Sequence, residues 1–265
     1  MFDIIDAHVH IYPQKIAEKA SKNIGEFYDI KMNFSGTIDA LIEESKNFNV
    51  KKFIVHSVAT TKEQVVKIND FIYQESCLHS EFIPFMTLHP NMTECEIANE
   101  ILRCENRGFK GIKLHPDFQK FAIDDVAAFK IYKTASERLP ILFHTGDKRY
   151  NYSNPERLAA IAKKFNKLNV IGAHFGGYSE WDKISVYKGL KNVYFDTSSS
   201  LNFISTNMAK NFIDEFGADK FFFATDYPMW SIKNELELFM KIDLTNEERE
   251  LIFSKNICKF LKIEL

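Results

Sequence analysis

The sequence predicts an α/β protein: one domain over residues 1–265, built as a (β/α)8 TIM barrel with an insertion after strand 1 and an extra C-terminal helix. Two observations carry this. Eight short runs rich in β-branched and aromatic residues occur at 3–9, 53–58, 82–88, 110–115, 140–144, 169–174, 192–197 and 221–226. After the first interval they recur about every 23–30 residues, the length of one strand, one crossover helix and two loops. A doubly wound open sheet would show fewer strands and a glycine-rich phosphate loop after the first, and no such loop is present.

The first strand runs from Asp3 to Ile11, with Ile5, Ala7, Val9 and Ile11 alternating with Asp6, His8 and His10. Side chains two apart share a face, so both imidazoles point the same way. Burying them beside an acid costs several kcal/mol unless something compensates. A bound divalent cation would do so, and so would hydrogen bonds within a core. The insertion, 11–36, carries a helix near 13–23. Thr37 and Thr61 then open helices through Leu41 and Ile42 and through Val65, Val66 and Ile68. Thr93 caps a segment ending at Gly108, and Asp124 begins one carrying Val126, Phe129 and Ile131. Asn154-Pro155 opens another with proline at the first helical position, and Ser205 opens the segment ending at Gly217. Thr245 to Ile263 forms the final helix.

Bulk properties exclude several classes. A net charge of −2 gives no electrostatic footprint for nucleic acid or anionic membrane. No apolar run approaches the roughly 20 residues of a membrane span. Met1 leads straight into a strand without a basic leader, and Cys77, Cys95, Cys104 and Cys258 fall in no metal or redox spacing. A cytoplasmic protein with reduced thiols is expected.

In a barrel of this kind the active site lies at the C-terminal strand ends. Strand five ends Ile141-Leu142-Phe143-His144 before Thr145-Gly146-Asp147. Strand six ends Gly172-Ala173-His174 before Phe175-Gly176-Gly177, and strand eight ends Ala224-Thr225-Asp226 before Tyr227-Pro228. Each apolar strand finishes in one ligand-type residue. His8, His10, His144, His174 and Asp226 on one rim are hard to assign to packing.

These motifs resemble the amidohydrolase superfamily, and within it the amidohydrolase-2 branch that includes the aminocarboxymuconate-semialdehyde-type decarboxylases. The resemblance covers nearly the whole chain. It implies that His8, His10, His144 and Asp226 hold one catalytic Zn²⁺, with His174 a nearby acid or base, or a ligand in members that bind two metals. Lys113 and His115 share the inward face of strand four. Some superfamily members carry a carboxylated lysine there, bridging two ions; a charge-paired or substrate-binding Lys113 is the favoured alternative. Asp6 and Asp196 are supporting candidates, and His56 and His89 could line the mouth. Substrate contacts are expected from His115, Arg149, Trp181, Trp230 and Tyr12, with Arg149 and Lys148 the candidates for an anion anchor and exposed loop charges the alternative reading of both.

The leading expectation is hydrolysis of a small amide, lactone or related carbonyl by metal-activated water, with Asp226 and His174 moving protons. The alternative is non-oxidative decarboxylation of a small carboxylic acid on the same ligands, and a non-catalytic metal-stabilised binding protein is the third. The scarcity of arginine near the mouth favours hydrolysis. A small-molecule substrate is the expected partner, with a homodimer expected only by analogy.

Overall fold

The computed structural model describes residues 2–265. All eight predicted strands form: β1 Ile4–His10, β2 Val50–His56, β3 Phe82–Thr87, β4 Gly111–Leu114, β5 Ile141–Phe143, β6 Val170–Gly172, β7 Val193–Asp196 and β8 Phe221–Phe222. They make one eight-stranded sheet in chain order. From β3 to β7 the pairing is parallel, with Thr87 opposite Lys113, Leu114 opposite Phe143 and Gly172 opposite Phe195. At the other edge β1 joins the segment after β8. Ala7 N donates to Phe223 O, Asp226 N to His8 O, and His10 N to Tyr227 O. This is the predicted TIM barrel.

The helices are α1 Gln14–Tyr28, α2 Ile38–Ser45, α3 Val65–Leu78, α4 Glu94–Asn106, α5 Pro116–Gln119, α6 Phe129–Ala135, α7 Pro155–Lys164, α8 Thr206–Phe216, α9 Ile232–Phe239, α10 Asn246–Glu250 and α11 Asn256–Leu261. The start signals act as the sequence suggests. Thr37, Thr93, Ser205 and Thr245 each accept a hydrogen bond from the backbone N–H three residues on. Asn154-Pro155 opens α7 as expected, with proline at the first helical position, although Asn154 makes no side-chain cap. Two expectations need correction. The helix expected from Asp124 starts one residue later, because Asp125 caps a 3-10 turn at Val126–Ala128. The final helix is broken by a π turn at Leu251–Lys255, where Ile252 O accepts from Phe223 N. The helix α9 and the short α5 were not anticipated.

The chain divides into two compact units. One comprises the residues up to Val55 together with Asp196–Leu265; the other is His56–Phe195. In the first, Phe223, Phe239 and Phe253 form an aromatic cluster with ring centroids 4.9–5.6 Å apart. The insertion after β1 is tied down by Tyr12 N donating to Gly36 O. A side chain at Gly36, with φ +85°, would begin 2.5 Å from the Tyr12 ring, so only glycine leaves that ring its place.

In the second unit Gln119 pins several strand ends. Its amide nitrogen donates to Ala59 O and Leu88 O, and its carbonyl accepts from His115 N. Asn69 of α3 does the same for β3, accepting from Thr87 N and donating to Thr87 O and Glu100 Oε1. All four cysteines are free, as expected, and no helix among the described residues is long and apolar enough to cross a membrane.

Candidate metal centre

The first unit builds its site from β1, the end of β7 and the turn after β8. His8 and His10 are both buried, on one face of β1 as alternation requires. Asp226 lies in the left-handed region at φ +62°, a conformation that turns its carboxylate back toward β1. His8 Nε2 and His10 Nε2 are 3.3 Å apart, and each lies 3.4 Å from Asp226 Oδ1. Three donor atoms thus form a near-equilateral triangle.

The protonation of His8 follows from its other nitrogen. Nδ1 is 2.8 Å from Asp196 Oδ2, inside a wholly buried pair. Ser198 braces that carboxylate, donating N–H and Oγ–H to Asp196 Oδ1 at 3.1 and 2.5 Å, with its Oγ also 3.2 Å from His8 Nδ1. A carboxylate on Nδ1 places the proton there and leaves a lone pair on Nε2. That lone pair then faces a carboxylate oxygen and a second imidazole nitrogen. Such a meeting is relieved by a proton on His10 Nε2 or by a cation at its centre. Ligands about 2.0–2.1 Å from a tetrahedral ion stand about 3.3–3.4 Å apart, which is the spacing of these three atoms. The residues present therefore fit a small transition-metal ion.

Asp6 lies beneath this triangle as a structural acid. It accepts from Thr225 N, Thr225 Oγ and His8 N at 3.0, 2.6 and 3.2 Å, locking β1 to the turn that carries Asp226. Burial pushes its pKa up to about 7 against the lowering pull of those hydrogen bonds.

A second buried acid in this unit was not anticipated. Glu235 of α9 accepts from Asn202 through Oε1, and its Oε2 has no hydrogen-bond partner among the described residues. Burial, and then the charges of Asp226 and Asp6, raise its pKa well above the ordinary 4.5. The folded state keeps a proton that the unfolded chain gives up near the ordinary value, so stability falls as pH rises above it. Glu235→Gln is expected to remove that slope. Its stability advantage over wild type should grow from pH 5 to pH 8, by at most about 1.4 kcal/mol per pH unit, in urea titrations at each pH. A constant difference would show Glu235 ionised in the fold.

The second unit gathers the remaining predicted residues. His144 follows β5 and His174 follows β6, and His174 Nε2 lies 3.0 Å from His144 Nδ1. His144 Nε2 faces Asp117 Oδ2 at 3.8 Å; Asp117 is buried, and that burial pushes its pKa up to about 7. The His115 ring is stacked between Phe118 and His144, with centroids 3.8 and 4.1 Å away. Lys113 is fully buried on β4. The loops after β5 and β6 are fixed together: Tyr178 N donates to Thr145 O, Thr145 Oγ to Ala173 O, and a side chain at Gly146 would start 2.5 Å from the Gly177 backbone.

Three residues expected to meet substrate have protein partners. Arg149 is clamped to Asp147, with Nε and an Nη donating to its two carboxylate oxygens at 3.0 and 2.7 Å. Trp181 Nε1 donates to His174 O, and Trp230 Nε1 donates to Ser199 Oγ. The serines after β7 were missed. Their one signal is that Thr197-Ser198-Ser199-Ser200 is polar yet almost completely buried, which sequence alone does not show.

With this geometry in view, the comparisons decide the family. A family model described as amidohydrolase, of the second amidohydrolase type, matches residues 5–263. The chain belongs to the amidohydrolase-2 family. No curated protein matches its sequence. This amidohydrolase-2 chain is similar in structure to an uncharacterized TIM-barrel protein from Bordetella bronchiseptica, at 18% identity and TM-score 0.81 over 98% of each chain. It is also similar to a dihydroxybenzoic acid decarboxylase from Polaromonas sp. JS666 with bound manganese and the inhibitor 2-nitroresorcinol, at 16% identity and TM-score 0.75, covering 99% of this chain and 97% of that one. A third is the 5-carboxyvanillate decarboxylase LigW from Sphingomonas paucimobilis, at 14% identity and TM-score 0.75 over 100% of both chains. At these identities the likeness is one of fold.

Proposed function

We infer that the chain is a metal-dependent, non-oxidative decarboxylase of a small aromatic carboxylic acid. The observation that carries the metal is the donor triangle of His8 Nε2, His10 Nε2 and Asp226 Oδ1, with its tautomer fixed by Asp196. What supports decarboxylation over the hydrolysis first expected is that two of the similar structures are a dihydroxybenzoic acid decarboxylase and a 5-carboxyvanillate decarboxylase. The scarcity of arginine, which favoured hydrolysis, loses its force once a cation is in place. A divalent ion is itself an anchor for a carboxylate, so the clamped Arg149 need not serve as one.

His8, His10 and Asp226 would hold the ion, either zinc or manganese, one per chain. When bound, the ion supplies a fixed positive charge that orients an anionic substrate and draws electron density from it. His174 carries the proton. As the bond from ring carbon to carboxylate breaks, its electron pair is taken up in a new carbon–hydrogen bond with the His174 proton, and carbon dioxide leaves. Asp226, tied up at both oxygens, is a poor proton carrier, so the step falls to histidine.

The test is a substrate panel run with detection of both carbon dioxide and free amine or acid. Hydroxylated benzoic acids should release carbon dioxide only when the protein is loaded with a divalent transition metal. Turnover of amides or lactones, with no carbon dioxide from any carboxylic acid, would return the chain to hydrolysis.

A further inference from the structure

We propose that Ser199 and Trp230 form a one-way hydrogen-bond relay that positions Asp226 to offer a single oxygen to the metal ion. The inference rests on the ion site argued above. Trp230 Nε1 lies 2.9 Å from Ser199 Oγ, and Ser199 Oγ lies 2.6 Å from Asp226 Oδ2. An indole N–H can only donate, so Ser199 Oγ accepts there. Its one hydrogen then goes to Asp226 Oδ2 rather than to the weaker acceptor Met229 Sδ, which is 3.6 Å away. The direction of the relay is therefore fixed. With Oδ2 occupied, Oδ1 is the oxygen turned to the His8–His10 pair.

Both residues are built for this task. Ser199 is buried and sits at φ +48°, a conformation that costs energy for a residue with a Cβ and is kept here with its hydroxyl aimed at Asp226. Trp230 is steadied by Phe203, edge to face with ring centroids 6.0 Å apart. Its indole nitrogen is spent on the protein, so it is a positioning residue rather than a hydrogen-bond donor to substrate. A carboxylate limited to one oxygen suits small ions of low coordination number. One free to turn would bind through both oxygens and admit larger ions such as Ca²⁺.

The test measures binding of Mn²⁺ and Ca²⁺ to the full chain, stripped with chelator, by equilibrium dialysis. Ser199→Ala should weaken Mn²⁺ binding roughly 10–100-fold, the usual cost of losing an outer partner of a metal ligand, and should shift the Mn²⁺-to-Ca²⁺ ratio toward Ca²⁺. Trp230→Phe keeps the ring and should weaken binding less, by about 2–10-fold. In the Ser199→Ala background it should add nothing, because the indole acts only through that hydroxyl. Unchanged Mn²⁺ affinity in Ser199→Ala, an unchanged ion ratio, or additive effects in the double variant would overturn the relay. Should Ser199→Ala fail to fold, wild-type affinity in Trp230→Phe would overturn it alone. Failure of wild type to bind Mn²⁺ would remove the ion site itself, whereas binding without carbon dioxide release would count only against decarboxylation.

Discussion

Replacing His8 by alanine is expected to abolish both metal binding and turnover. His8 supplies one corner of the donor triangle, and its other nitrogen is the buried partner of Asp196. Alanine removes a ligand and leaves the Asp196 carboxylate without that partner, so the remaining donors lose both number and preorganisation. A bound ion contributes several kcal/mol to a polar transition state, which corresponds to a fall of roughly 10³-fold or more in turnover. Elemental analysis should find about one transition ion per wild-type chain and much less than one in the variant. Retention of a full equivalent of metal would show that His8 is not a ligand.

Asp6→Ala should give the largest loss of stability. It strands three buried donors: Thr225 N, Thr225 Oγ and His8 N. At about 1–3 kcal/mol for each unsatisfied group, partly relieved by relaxation, the expected cost is about 3–5 kcal/mol. For a chain of this size that lowers Tm by roughly 10 °C. Asp6→Asn keeps the Oδ1 acceptor and can donate to Thr225 Oγ, so it should cost about 1 kcal/mol. It should also abolish a pH effect. Burial holds the Asp6 pKa at about 7, above the ordinary 3.8, so ionisation penalises the folded state increasingly from pH 4 to pH 7. Thermal melts of both variants across that range check the sign. Equal losses for alanine and asparagine would mean that the carboxylate itself, rather than its shape and the hydrogen bonds an amide can replace, is what Asp6 provides.

Much of the barrel is written in local sequence because each strand is a short buried run bounded by turn residues. The five ligand-type residues at or near strand ends, His8, His10, His144, His174 and Asp226, follow from that pattern. What escaped has physical causes. The strand β8 keeps only Phe221–Phe222 in regular pairing, because the chain then bends to bring Asp226 into the left-handed region. The π turn at Leu251–Lys255 answers to Phe223, a partner far away in sequence. His8 and His10 were legible as ligands because strand alternation puts them on one face. Ser198 and Ser199 were not, since a hydroxyl becomes a support for a metal ligand only through residues such as Asp196 and Asp226 that the fold brings to it. The two tryptophans were read as substrate contacts, while their indole nitrogens serve His174 O and Ser199 Oγ.

Anomalous diffraction from crystals grown with Mn²⁺ or Zn²⁺ tests the central claim most directly. One peak about 2.0–2.2 Å from His8 Nε2, His10 Nε2 and Asp226 Oδ1 is the predicted result. A metal-loaded crystal with no peak among those three atoms, or with the ion bound elsewhere, would contradict it.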